Sequence, residues 1–150
     1  MGLHPELILL LTAFENSNAR YLVIGGWAVS THAKARYTKD LDLWVGTEPE
    51  NLTRVITGLR EFGVPPGVIA NAESLSPEEF MFFGREPNRV DILRTIPGVE
   101  FEGAWARRER FRWGEQEVNL IGLNDLIAAK RAAARPRDLS DVKELLKVRR

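Results

Sequence analysis

Three carboxylates and a pair of glycines are the residues best placed for chemistry. Asp40 and Asp42 flank Leu41 in "TKDLDLWV", Asp91 sits in "RVDILRT", and Gly25-Gly26 follow the apolar run 21–24. On a strand, side chains alternate faces, so Asp40 and Asp42 share one face and Leu41 and Leu43 the other. Their Cα atoms then lie roughly 6.5–7 Å apart, and both carboxylates can converge on one ion. Two anions that close repel, and a divalent cation that prefers oxygen ligands, such as magnesium, resolves the repulsion. Asp91 lies between Val90 and Ile92. A lone carboxylate buried there costs several kcal/mol unless something compensates it. If its strand lies beside residues 41–45, the three acids form a set suited to two metal ions. Gly25-Gly26 lets a phosphate approach the bare amides at a helix start. Each feature alone has a plainer reading: a surface Asp-x-Asp, an Asp paired with arginine or at a sheet edge, a simple strand-to-helix turn. Their order along the chain is what joins them.

The elements that must hold these residues follow from periodicity and punctuation. Pro5 opens a helix carrying Leu7, Leu10, Leu11 and Phe14, ending near 16–18. Strands are predicted over 21–24 and 41–45, with an alanine-rich helix over 27–35 between them. Pro49 opens a helix to about 62 with Leu52, Val55, Ile56 and Leu59 as its stripe. Residues 64–70 stay undecided. Ser76-Pro77-Glu78-Glu79 reads as a helix or turn start over 80–83. A strand is expected over 89–94, a short helix over 101–108, and a hairpin of 111–113 and 117–121 around Gly114-Glu115-Gln116. Asn124 caps a helix to 134, Pro136 breaks it, and Asp138 caps a last helix with Leu139, Val142, Leu145 and Leu146. The expected fold is α+β, a mixed sheet of about five strands with helices packed on it. One domain spans 1–150, with 124–149 as a small helical C-terminal part.

The 150 residues carry no net charge, which gives no support for a broad attraction to nucleic acid or anionic membrane. Cysteine is absent, so disulfides and thiolate zinc sites are excluded and a cytoplasmic location fits. The N-terminal apolar run lacks a basic start and a cleavage site, and no run approaches the ~20 apolar residues needed to span a bilayer. "RRERFRW" at 107–113 could grip RNA, but a solvated helix end explains it more simply. The four tryptophans, Trp27, Trp44, Trp105 and Trp113, suit packing. Alternation puts Trp44 on the Asp42 side, which makes it a candidate stacking surface. His32 reads as a packing or surface histidine, with a site role as the alternative. Asp138 and Asp141 read first as helix capping, with ion pairing to Lys130 or Arg131 as the alternative.

Ile24-Gly25-Gly26, Asp40-Leu41-Asp42 and the later Asp91 resemble the nucleotidyltransferase superfamily with a DNA polymerase beta type of catalytic core. "GGWAVSTHAKARYTKDLDL" and the tail "DLIAAKRAAARPRDLSDVKELL", with its lysine and Arg-x-x-Asp-x-x-Asp, are similar to a small bacterial and archaeal branch related to abortive-infection toxins. The resemblance covers about residues 21–146. It implies transfer of NMP from an NTP to a hydroxyl acceptor with loss of pyrophosphate, and two Mg2+ ions held by Asp40, Asp42 and Asp91. Asp91 would also help remove the hydroxyl proton. Gly25 and Gly26 would pack against the triphosphate, and Lys130 would reach the phosphates. Arg36 is a phosphate candidate or a solvated arginine. Many relatives carry serine where this chain has Gly26, which removes a phosphate contact. The short chain leaves little material for acceptor binding, so a homodimer or a partner chain completing the groove is one expectation. The acceptor stays open between a small molecule, a tRNA end and a protein side chain. The alternative function is a non-catalytic nucleotide-binding module of a toxin–antitoxin-like or other partner complex.

Overall fold

The computed structural model describes residues 3–33, 40–74, 76, 81–85 and 88–149. The elements run α1 (Pro5–Asn16), β1 (Tyr21–Ile24), α2 (Gly25–His32), β2 (Leu41–Val45), α3 (Pro49–Phe62), α4 (Pro66–Glu73), β3 (Met81–Phe83) and β4 (Val90–Leu93). They continue with α5 (Phe101–Ala106), β5 (Glu109–Trp113), β6 (Gln116–Leu120), α6 (Leu123–Ala133) and α7 (Pro136–Val148). The six strands form one mixed sheet in the order β3-β4-β2-β1-β6-β5. β2 runs antiparallel to β1 and parallel to β4, and β6 runs parallel to β1.

Register sorts the strand side chains onto two faces. Leu41 stands opposite Val90 and Leu43 opposite Ile92, while Leu43 also faces Val23 and Val45 faces Tyr21. With Leu7, Leu10, Leu11 and Phe14 of α1 and Val55 and Leu59 of α3, these residues belong to one buried cluster. Helix α1 starts at Pro5, whose missing N–H costs nothing there. Helix α3 ends at Gly63, in the left-handed conformation that an L side chain resists. The opposite face carries Asp42, Trp44 and Asp91.

Asn51 on α3 ties the start of β1 to the end of β2. Its Nδ2 donates to the carbonyls of Gly46 (2.7 Å) and Arg20 (3.1 Å), and its Oδ1 accepts from the Arg20 N–H (2.7 Å). The side chain is buried. Asn51→Leu leaves these backbone groups without their partner and is expected to cost about 2–4 kcal/mol, read as a lower urea midpoint at unchanged slope.

The expected α+β fold with a mixed sheet and packed helices is present, with six strands for the expected five or so. Some local expectations need correction. Met81–Phe83 forms a strand against β4 rather than a helix or turn, while 77–80 lie outside the described residues. Three aromatic and apolar residues gain a ladder partner that local start signals do not reveal. Residues 64–70, left undecided, belong mostly to α4. The first hairpin strand is longer than expected, the second keeps its length and shifts by one residue, and the turn falls at Gly114-Glu115. Helix α6 is preceded by Gly122, not capped by Asn124. Asp138 occupies the third position of α7 and caps from inside, its Oδ2 accepting the Arg135 N–H at 3.2 Å. Among the described residues no helix is long and apolar enough to cross a membrane.

Candidate active site

Strand β1 ends at Ile24, which stands opposite Asp42, and the chain turns at Gly25 with φ +68°. A Cβ added at Gly25 would lie 3.0 Å from Asp42 Cγ and closer still to Oδ2. Gly25 therefore makes room for the Asp42 carboxyl as well as making the turn. Ile24 supplies no side-chain cap to α2. Gly26 is the half-buried second residue of that helix.

The parallel pairing of β2 and β4 sets Asp42 directly opposite Asp91. Burial pushes the Asp42 carboxyl up to about 7, helped by a hydrogen bond to Asp91 and by the charges of Asp91 and Asp40, while Lys130 opposes the shift. Arg89 Nε donates to Asp91 Oδ1 at 3.0 Å. Asp40 sits at the entrance of β2, close enough to add to the field at Asp42.

Backbone register thus forces two carboxyls together in a partly dry site, with a third beside them. Two facing carboxyls repel when both are charged, and either a shared proton or a bound cation would ease the Asp42–Asp91 contact. Among the described residues no group of three or more acidic or imidazole side chains is placed to hold a metal ion as the structure stands. Arg89 holds one Asp91 oxygen and would have to share it with an arriving ion.

Helices α6 and α7 deliver the cations. Lys130 Nζ lies 3.3 Å from Asp138 Oδ1 and 3.1 Å from Asp141 Oδ2. Asp138 is fully buried. Burial alone would raise its pKa, but bonds from Arg135 and Lys130 outweigh this and hold it below the usual carboxylate range. Arg135 Nε donates to Asp138 Oδ2 at 2.6 Å, and Asp42 also acts on the Arg135 guanidinium. Asp138 and Asp141 therefore both cap and pair. Arg135 was not singled out as a site cation; its spacing of three before Asp138 is the signal that was there to find. Arg36 lies outside the described residues.

Other candidates fall away from the acids. Trp44 is 1% exposed, packed edge-on against Phe101 at 5.1 Å, so it offers no stacking surface. Strand alternation gave its side correctly, but α5 covers it. His32 Nε2 bonds the Ile121 carbonyl at 2.6 Å, a packing role. The run at 107–113 is mostly edge strand β5 rather than a helix end. Three of its four arginines pair with acids: Arg107 with Asp125, Arg110 with Glu15 and Arg112 with Glu117, while Arg108 donates to Asn119 Oδ1 and the Trp105 carbonyl.

The α+β fold is nucleotidyltransferase-like, as its likeness to solved structures shows, among them the two that follow. The lincosamide antibiotic adenylyltransferase LnuA in its lincomycin-bound crystal form matches 99% of this chain and 100% of its own, at 17% identity and TM-score 0.60. An antigenic nucleotidyltransferase-like protein from Paracoccidioides brasiliensis matches 95% of this chain and 74% of its own, at 13% identity and TM-score 0.54. No protein-family model matches the sequence, and no curated protein does.

Proposed function

We propose that this chain is a nucleotidyltransferase that moves the NMP part of a nucleoside triphosphate to a hydroxyl of a small acceptor. The observation that carries this is the Asp42–Asp91 pair on adjacent parallel strands, with a glycine whose missing side chain makes room for one of them. Asp40, Asp42 and Asp91 would hold two magnesium ions. When bound, these supply neutralisation of the triphosphate and a lower pKa for the acceptor hydroxyl. The acceptor oxygen bonds to the α-phosphorus, the bond from that phosphorus to the bridging oxygen of the β-phosphate breaks, and pyrophosphate leaves with the electron pair. The hydroxyl proton passes to Asp91. Lys130, steadied by Asp138 and Asp141, and Arg135 place positive charge beside Asp42, where phosphate oxygens need it. A small acceptor is favoured because the full-length match is to an enzyme crystallised with a small antibiotic.

The test is transfer of label from each α-32P NTP, with magnesium, to a panel of hydroxylated antibiotics including lincomycin, with tRNA as a further arm. Label on a small molecule, lost in Asp91→Asn, is the expected result. Magnesium-dependent ATP binding without turnover would instead favour a nucleotide-binding module acting with a partner chain. Absence of ATP binding would overturn both readings.

A further inference from the structure

One row of residues crosses the sheet through the site. Ile24 stands opposite Asp42, Asp42 opposite Asp91, and Asp91 opposite Phe82 on β3. Residues directly opposite share a face, so Phe82 projects on the side of the acids. Phe82 is 54% exposed, unusual for phenylalanine. The Arg89 guanidinium lies 4.2 Å from the centroid of that ring, while its Nε holds Asp91. Arg89 thus bridges the third carboxylate and the Phe82 ring, covering one side of it. The Arg89 side chain is itself 34% exposed.

This inference rests on the nucleotidyltransferase reading and deepens it. The glycine turn and the start of α2 mark one end of the row as the phosphate side. In-line displacement puts the attacking oxygen opposite the leaving pyrophosphate. The opposite end of the row is Asp91, Arg89 and Phe82. We infer that Phe82 and Arg89 form the acceptor platform, and that they select a small ring-bearing alcohol, neutral or anionic, over a cationic one. The ring face of the acceptor lies on Phe82, which sets its hydroxyl toward Asp91. With magnesium offsetting the carboxylates, as the proposed function requires, Arg89 would repel an ammonium group there and attract a carboxylate. An RNA acceptor is disfavoured: the basic strand β5 lies at the far edge of the sheet from β3 and Phe82.

The probes are phenyl glucoside, phenyl glucuronide and phenyl glucosaminide, neutral, anionic and cationic in turn. They are titrated into the full chain with magnesium and a non-hydrolysable ATP analogue, with 13C-labelled phenylalanine rings observed by NMR. The Phe82 signal, assigned by its loss in Phe82→Leu, is expected to shift with the first two. Phe82→Leu is expected to weaken the neutral probe about fivefold to tenfold while analogue binding moves less than about twofold. Arg89→Gln is expected to shrink the anionic-over-cationic preference about threefold to tenfold. If the analogue binds but none of the glycosides shifts Phe82, or the cationic probe binds best, or a short RNA binds tighter than all three, the inference is overturned. The wild-type affinities for the three glycosides and the RNA, read by calorimetry, decide this even where a variant fails to fold. If the analogue does not bind at all, the reading beneath it fails instead, a distinguishable result.

Discussion

Asp42→Asn is expected to stabilise the metal-free protein at neutral pH while abolishing nucleotidyl transfer. In the folded chain the Asp42 carboxyl is raised to about 7, by burial first and then by Asp91 and Asp40. In the unfolded chain it titrates near the ordinary value of about 4. Between these values the folded state keeps a proton that the unfolded state has released. Stability from this group is therefore unimpaired below about pH 4, falls as pH rises toward 7, and is lowest above it. Asparagine removes the charge and keeps a donor that can bond Asp91, as the protonated acid does. The variant should exceed wild type by on the order of 2–4 kcal/mol above pH 7, a difference that vanishes toward pH 4. Urea denaturation with EDTA from pH 4 to 8 reads this directly. Magnesium should then raise the wild-type midpoint and leave the variant where it was, and transfer should fall by three orders of magnitude or more, a loss on the scale of about 4 kcal/mol in the barrier. A stability difference that does not change with pH would show that Asp42 is not held in the environment described.

Gly25→Ala is expected to damage both the fold and the site. At φ +68° an alanine costs about 1–2 kcal/mol in backbone strain alone. Its Cβ would also press on the Asp42 carboxyl, forcing that side chain or β1 to shift. A total loss of about 2–4 kcal/mol follows, with affinity for Mg-ATP falling about a hundredfold because a ligand and the phosphate turn move together. Gly26→Ser is the contrast. The resemblance places serine at that position in many relatives, and the change is expected to cost under about 0.5 kcal/mol. A double-mutant cycle with Asp42→Ala separates strain from collision: with the carboxyl gone, Gly25→Ala should cost only its backbone part. If Gly25→Ala matches wild type in urea midpoint and ATP affinity, the close approach of Gly25 and Asp42 is wrong.

Local chemistry carries far along this chain. Period and punctuation place α1, β1, β2 and α3 within a residue or two, because a proline start, a β-branched run and a 3.6-residue stripe act over a few neighbours. The glycine pair and Asp-Leu-Asp are legible for the same reason. The three-residue β3 was not, since so short a strand exists only through its ladder with β4. The alternation rule put Trp44 on the side of the acids and could not know that Phe101 would cover it.

What the sequence determined by itself was which residues could ligate, turn and cap. Which of them meet was decided by tertiary structure. Asp42 faces Asp91 across nearly fifty residues of chain because Leu41, Leu43, Val90 and Ile92 bury on one face, and a one-residue slip of β4 would expose those apolar groups. The same register sets Phe82 beside Asp91, and the packing of α7 on α6 turns Asp138 and Asp141 toward Lys130. Such meetings follow from burying a whole face at once, a condition that no short window of residues contains.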